Sequence, residues 1–303
     1  MRERPRILVT GAAGQVGSAL VRLSLTQPLV LIALRREQLD LADQAQIAAV
    51  CDGVDPEIIV NAAAYTAVDK AEEQPELAFA ANSEGPGRLA QWCCARQRPL
   101  IHISSDYVFS GSSTTPFKED DPIAPLNVYG RSKALGERNI RESGAPYVII
   151  RTAWVYAAEG KNFVRTMLRL GRERDEVRVV NDQWGSPTHA DDIAQAIYVI
   201  IGRLLSDAPV RGTFHYAGSG KTTWYHFADF IFDHAERYWQ RRPKLTPIST
   251  SDFPTPAQRP AYSVLDTSLY RRTFGEAPPP WQYSAARALE MIFAKESMKE
   301  GIK

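Results

Sequence analysis

Histidine and cysteine are scarce in this chain, net charge is almost nil, and long apolar runs are missing. The five histidines, His102, His189, His215, His226 and His234, form no HExxH pattern and pair with no cysteine at zinc spacing, which speaks against a protein-bound catalytic metal. The three cysteines are an odd number, and Cys93 and Cys94 are neighbours in an expected helix, where successive side chains diverge. No disulfide framework is expected. With 36 basic and 35 acidic side chains, no global charge points to nucleic acid or a membrane surface as partner. No stretch approaches the length of a membrane span, and "MRERPRILVTGAAG" runs straight into a strand and a glycine turn, with no room for a secretory apolar region. These absences predict a protein of the reducing cytoplasm whose partners have to be read from local sites.

What the chain does have is size and rhythm. Its 303 residues, 44% of them hydrophobic and 23% charged, suffice for one large α/β domain with an appended lobe, or for two domains. "RILVT" (6–10), "VLIAL" (30–34), "EIIVNAA" (57–63), "LIHIS" (100–104) and "YVIIRT" (147–152) are short and nearly all apolar, as strands buried on both faces are. Amphipathic helical stretches separate them. This alternation predicts a Rossmann-type, doubly wound parallel sheet whose ligands sit beyond the carboxyl ends of the strands. After residue 155 the spacing predicts helices at 161–173, 189–205 and 223–238, strands at 176–180, 213–216 and 245–248, and a final helix from about Ser284. The expected organisation is a dinucleotide-binding domain over 1–155, rejoined by 189–215, with a smaller α+β substrate lobe from 156–188 and 216–303.

"VTGAAGQVGSAL" sets Gly11, Gly14 and Gly17 three apart after the first strand and at the start of a helix. Glycines so placed allow a tight turn and let a pyrophosphate approach backbone N–H groups at the positive helix end. A turn needing glycine for packing alone is the bland alternative. At the end of the second strand, where an acid would hold a ribose 2′-hydroxyl, the chain has Arg35 and Arg36. A guanidinium suits a 2′-phosphate, so NADPH is favoured over NADH, with a solvated basic turn as the other reading. Asp40 and Leu41 can bracket an adenine. "NAAAY" with Thr66, after the third long strand, offers Ala63, Ala64 and Tyr65 as a surface along which a cofactor can pass.

At the other end, "HISSDYVFSG" leaves Ser104, Ser105 and Asp106 at the carboxyl end of a strand, and "NVYGRSKALGE" places Tyr129 one helical turn before Lys133. An isolated YxxxK is more often surface decoration. Combined with the glycine turn and the strand-end hydroxyls, it reads as a catalytic set in which Ser105 polarises a carbonyl and Tyr129 protonates it. Lys133 would lower the phenol's pKa and hold the nicotinamide ribose.

On these residues the chain resembles the extended short-chain dehydrogenase/reductases and, within them, the dTDP-4-dehydrorhamnose reductase family. "GQVG", "VNAAAYTAVDKAE", "SSDYVFSG", "PLNVYGRSKALGE", "RTAWVYA", "NFVRTMLRL", "NDQWGSPT" and "FPTPAQRP" follow the family's order over almost the whole length. The resemblance implies reduction of dTDP-4-dehydro-β-L-rhamnose at C4. It carries over Tyr129 as acid/base, Lys133 as its partner and Ser105 as the hydroxyl, where many relatives have threonine. It also implies sugar contacts from Ser105, Asp106, Tyr129 and Trp154, the last with core packing as its alternative. Cofactor contacts carried over are Gly14, Gln15, Val16, Asp40, Leu41, Ala64, Tyr65, Thr66, Tyr129 and Lys133. Arg35 departs from relatives with an acid there, which puts NADH use in doubt. Arg259 and "NDQWGSPT" are candidates for the nucleotide half. Some relatives are dimers with magnesium at the interface; the carboxylate set for it is not matched here, so neither Mg2+ nor a homodimer is carried over.

Two other readings share these motifs. Nucleotide-sugar dehydratases place an Asp-Glu pair after the strand-end hydroxyl, whereas Asp106 is followed here by Tyr107, and epimerases share the Tyr/Lys pair. A dinucleotide-binding regulatory subunit without reductase activity also resembles "SSDYVF" and YxxxK, but matches Trp154 and "NFVRTMLRL" less well.

Overall fold

The computed structural model describes residues 4–300. The apolar runs of the first half become β1 (Arg6–Thr10), β2 (Val30–Leu34), β3 (Ile58–Asn61), β4 (Leu100–Ser105) and β5 (Tyr147–Thr152). Between them lie α1 (Gln15–Ser24), α2 (Gln44–Val54), α3 (Val68–Glu73), α4 (Pro75–Phe79), α5 (Gly85–Arg96) and α6 (Val128–Glu142). The second half supplies β6 (Val155–Tyr156), α7 (Phe163–Glu173), β7 (Glu176–Val180), β8 (Trp184–Gly185), β9 (Thr188–His189), α8 (Ala190–Leu204) and β10 (Gly212–His215). It ends with β11 (Thr222–Thr223), α9 (Trp224–Trp239), β12 (Lys244–Ile248), α10 (Ser268–Phe274) and α11 (Trp281–Glu300).

The main sheet is parallel throughout, in the order β10-β5-β4-β3-β1-β2. Its strand order reverses between β1 and β3, so the crevice of this Rossmann-type sheet opens where their carboxyl ends diverge. One face is covered by α1 and α8, whose Leu20, Ile193 and Ile197 meet Ile7, Val9 and Ile150 of the strands. The other face packs Leu8, Ile59 and Ile149 against Ile47 of α2 and Leu89 of α5. A separate core joins α7, α9 and α11 through Val164, Phe227, Phe232 and Leu289.

Several boundaries differ from the sequence expectation by one to three residues, and two of them have a plain physical reason. β3 stops at Asn61 rather than 63, because the Asn61 carboxamide accepts from Ala63 N at 3.1 Å and turns the chain out of the sheet. The last helix starts at Trp281 rather than Ser284. Pro280 precedes it with a backbone already near helical φ, and Tyr283 N donates to Pro280 O at 3.0 Å.

One buried ion pair joins three of the elements that carry the site. Glu137 of α6 is 0% exposed and Arg151 of β5 2%. Arg151 donates to Glu137 from Nε at 2.9 Å and from Nη2 at 2.8 Å, and Ser104 Oγ of β4 adds a third bond at 2.6 Å. Burial pushes the Glu137 carboxyl up, but the Arg151 donors and charge, with Ser104, outweigh it and hold the carboxyl below its usual value. Because the folded pKa is depressed, the pair's contribution is complete above the ordinary glutamate value and is lost as pH falls through the folded one. Glu137→Gln leaves the guanidinium buried without its counter-charge and is expected to cost about 3 kcal/mol or more, read as a lower urea midpoint. The same change at Glu142, which faces Arg138 at 3.9 Å in solvent, should move that midpoint far less.

Candidate functional site

Gly11 leaves β1 with φ at +69°, and a Cβ there would stand 2.6 Å from the Ala63 backbone. Only glycine lets the turn after β1 touch the segment after β3. Gly14 then starts α1 with no side-chain cap, unlike α2, α6, α7 and α9, capped by Asp43, Asn127, Asn162 and Thr223. The first N–H groups of α1 are therefore left without a side-chain acceptor at a positive helix end in the crevice, which fits the pyrophosphate of a dinucleotide. Gln15 is tied to the second half of the chain, accepting from Asn162 Nδ2 at 3.1 Å. The Val16 side chain is buried in the sheet core, so only its backbone can face a ligand, and Gly17 packs against the Gly11 carbonyl.

Arg35 and Arg36 are exposed at the end of β2. Arg36 pairs with Asp40 at 3.2 Å, and Asp40 also caps the next turn by accepting from Ala42 N at 3.0 Å. Leu41 is buried and packs on Gly85. Across the crevice, Ala63, Ala64, Tyr65 and Thr66 line the segment after β3, with Ala64 and Thr66 exposed. Tyr65 is held through its backbone, since its N–H donates to Asn82 Oδ1 at 2.8 Å while Asn82 Nδ2 donates to Tyr65 O at 3.0 Å. Asn82 lies in a π-helical turn, Ala80–Glu84, and also reaches Ser132 of α6 at 3.0 Å.

At the reacting end, Asn127 caps α6 by accepting from Gly130 N at 2.8 Å, which puts Tyr129 in the helix's first turn. The Tyr129 phenol lies near Ser105, the last residue of β4, whose hydroxyl acts to lower the phenol's pKa. Ser105 Oγ donates to Asp106 Oδ1 at 2.9 Å and accepts from Tyr107 N at 3.2 Å. Ser105 and Asp106 thus form a hydrogen-bonded pair at the end of β4, near the Tyr129 phenol. Burial pushes the Asp106 carboxyl up to about 6, against hydrogen bonds from Ser263 and Ser105. Tyr107 packs edge-on to Tyr129, with ring centroids 5.5 Å apart.

The relation of Lys133 to Tyr129 differs from the sequence expectation. They share a helix face, but the Lys133 amine turns to β4, donating to Ile103 O at 2.6 Å and lying 3.2 Å from His102 Nε2. A main-chain carbonyl is a stronger attraction for it than a neutral phenol. Burial raises the Tyr129 pKa above its ordinary value, the Ser105 bond opposes this, and the charges of Asp106 and Tyr107 add to it. The expected lowering by Lys133 is absent from this arrangement, and the phenol is protonated at neutral pH. Burial brings Lys133 itself down to about 8, opposed by Glu137.

Two other candidates are engaged by neighbours. Trp154, just past β5, has φ at +47°, unusual for a bulky residue; its ring stacks on Trp224 at 3.4 Å between centroids and lies over Gly185. Packing thus occupies much of the indole. Arg259 binds Asp69 at 2.6 Å and Tyr107 Oη at 3.1 Å, bridging the carboxyl-terminal segment to α3 and to the turn after β4. Beside it, "NDQWGSPT" contributes Asp182 and Trp184 to an open cleft of about 360 Å³, with Gly111, Lys221 and Tyr262. Lys221 Nζ stands 5.1 Å from the Trp184 ring centre and 5.9 Å from that of Tyr262.

Sequence reasoning missed Asn61, Asn82, His102 and Glu137. Asn61 and His102 stood inside apolar strand runs, where a lone polar residue is a visible anomaly; Asn82 and Glu137 stood in helical segments with no such signal. Among the described residues, no group of three or more His, Cys, Asp or Glu side chains could hold a metal ion, and no helix is long and apolar enough to cross a membrane.

The family model for the RmlD substrate binding domain matches residues 5–293. A dTDP-4-dehydrorhamnose reductase of Sinorhizobium fredii is 43% identical over 93% of this chain and 96% of its own length. Among solved structures, the reductase of Clostridium acetobutylicum superposes with a TM-score of 0.89 at 36% identity, covering 95% of this chain and 99% of that one. That of Bacillus anthracis, described in complex with NADP, gives 0.88 at 35% identity over 97% and 100%. With the glycine turn, the strand-end serine and the Tyr/Lys helix in one crevice, these matches show that the chain belongs to the RmlD family of dTDP-4-dehydrorhamnose reductases.

Proposed function

We propose that this protein reduces the C4 ketone of dTDP-4-dehydro-β-L-rhamnose to dTDP-β-L-rhamnose with NADPH. The observation that carries the reading is the placement of the Tyr129 phenol near the bonded Ser105–Asp106 pair at the carboxyl end of β4, in the same crevice as the uncapped start of α1. When bound, the nicotinamide supplies the hydride. The Tyr129 phenol, kept protonated by burial, gives its proton to the developing alkoxide. The single Ser105 hydroxyl hydrogen, which rests on Asp106, would turn to the same oxygen when the ketone binds. Lys133 stands by as the positive group that favours phenolate once the proton has left.

The N–H groups at the start of α1 would hold the pyrophosphate, the backbone of Ala63, Ala64, Tyr65 and Thr66 would line the nicotinamide half, and Asp40 and Leu41 the adenine. Arg35, exposed at the end of β2, suits a 2′-phosphate, and the Bacillus anthracis relative described with NADP supports that choice. We assign residues 156–188 and 216–303 to the substrate-binding lobe, with the nucleotide half in the cleft by Trp184 and Lys221 and the diphosphate toward Arg259. Trp154 would meet the sugar with the part of its indole that Trp224 and Gly185 leave open. Three unpaired thiols, two of them buried, support placement in the cytoplasm.

NADPH consumption with the keto-sugar as acceptor tests the reading; binding of NADPH without consumption would favour a regulatory protein. Tyr129→Phe should cut kcat by about 10²–10⁴-fold while a fluorescence titration shows unchanged NADPH affinity. Near-normal turnover in that variant would remove Tyr129 from the chemistry. Arg35→Asp should lower kcat/KM with NADPH about tenfold or more and leave NADH less affected. Arg259→Ala is expected to act mainly on KM for the nucleotide sugar; an unchanged KM would exclude a diphosphate role.

A further inference from the structure

Residues 254–261 run in no helix or strand beside α3 and the turn after β4, and Pro254, Pro256 and Pro260 bring no N–H groups to hold them there. A segment of this kind depends on the partners that its other polar groups find. Three side chains grip its middle. Asp69 of α3 takes two donors at once: Oδ1 accepts from Ala257 N at 3.3 Å and Oδ2 from Arg259 Nη2 at 2.6 Å. Asn127 donates from Nδ2 to Gln258 O at 2.8 Å while its Oδ1 caps α6. Tyr107 Oη accepts from Arg259 Nη1 at 3.1 Å.

The grip is tied to the helix that carries Tyr129. Asp69 and Glu72 stand three residues apart on α3 and so share a face. Glu72 Oε1 accepts from Val128 N at 2.7 Å, at the first residue of α6, while Asp69 takes the segment. Arg259 is thus placed relative to Tyr129 from two sides, through α3 and Asn127, and through Tyr107, whose ring lies edge-on to Tyr129. A carboxylate is the group this position needs. It offers one acceptor to the main-chain N–H and one to the guanidinium, whereas a carboxamide would set its NH₂ against one of the two. Among the described residues Arg259 has two partners, one on each Nη, so three of the five N–H groups of a guanidinium are left for a ligand. The Asp69 side chain is 40% exposed, so solvent screens its charge from an incoming anion while its bond still fixes the guanidinium plane.

We propose that Asp69 is a positioning residue for the substrate site: gripping residues 257–259 at two points, it aims the Arg259 guanidinium so that its three remaining N–H groups meet the diphosphate of the nucleotide sugar. With Tyr107 alone the guanidinium could swing about a single bond; the second bond, on the other Nη, sets the direction of the fork. An arginine held in this way before the ligand arrives loses less freedom on binding than one that is loose. The effect of Asp69, which rests on the diphosphate role of Arg259, is therefore on affinity and not on the chemical step.

Titration of the full chain with dTDP, which carries the diphosphate but no sugar, tests this apart from any turnover. Arg259→Ala should weaken dTDP binding by about tenfold or more. The near-isosteric Asp69→Asn should weaken it by about five- to tenfold, and Asp69→Glu, which keeps both acceptors, should recover most of that loss. In the Arg259→Ala background, Asp69→Asn is expected to add no more than a further factor of about two. An Asp69→Asn protein that binds dTDP as well as the wild type overturns the proposal. So does one that binds it more tightly, because the carboxylate would then be competing with the diphosphate for Arg259. Full multiplication of the two effects in the double variant also overturns it, since Asp69 would act by another route. In the assay, Asp69→Asn should raise KM for the keto-sugar and change kcat by less than about twofold; a lower kcat at unchanged KM counts against the proposal. If Asp69→Asn fails to fold, Arg259→Lys decides. An ammonium keeps the charge without the fork and should bind dTDP nearly as poorly as Arg259→Ala, whereas wild-type affinity would show that direction is not needed. Unchanged dTDP binding in Arg259→Ala would remove the diphosphate role itself, while an effect there with none in Asp69→Asn removes only this proposal. The expected dTDP responses in a protein that never oxidises NADPH against the keto-sugar would sink the reductase reading and leave this one standing.

Discussion

The pairing of Glu137 with Arg151 holds the reacting end together. Neither charge reaches water, so each depends on the other, and the Ser104 hydroxyl takes up part of what remains of the carboxylate. The three residues come from α6, β5 and β4. Their bonding sets the helix that carries Tyr129 and Lys133 at a fixed height over the strand that ends in Ser105. Arg151 also donates to His215 of β10, at 3.3 Å, which extends the same network to the edge strand contributed by the second half of the chain. A charge pair in this position is poor value as stabilisation, compared with apolar packing, but it is directional, and the site needs direction.

Around that anchor, burial does most of the tuning. It raises Tyr129 and Asp106, keeping the phenol protonated and the carboxyl within reach of a proton near neutrality, and it lowers Lys133 and His102. Acids are made weaker and bases less basic, so the site carries little net charge in its own right. A ketone and a nicotinamide can then alter local charge by one unit and be felt strongly.

Much of this was legible in the sequence. Five strands were predicted at or within two residues of their observed ends; β1, β3, β4 and β5 because strands covered on both faces read as unbroken apolar runs, while β2 is a half-exposed edge strand with the same composition. The glycine turn was legible because Gly11 answers a backbone demand that no other side chain can meet. The Tyr129/Lys133 spacing and Ser105 were legible as chemistry placed at strand ends. Partner choice was not legible. Helical spacing gives Tyr129 and Lys133 a common face, yet cannot say that the amine prefers the Ile103 carbonyl. The indole of Trp154 and the guanidinium of Arg259 were read as groups for a ligand, and each has a protein partner brought from far along the chain, Trp224 and Asp69.

By itself, then, the sequence determined the alternation of strand and helix, the crevice and the kinds of side chain that line it, since periodicity and turn chemistry are local properties. Tertiary structure alone decided what surrounds the His102 ring, where the Lys133 amine rests and which charges are cancelled. Those outcomes depend on donors and acceptors that meet only when strands distant in sequence are laid side by side, as Thr10, Asn61 and His102 are on β1, β3 and β4.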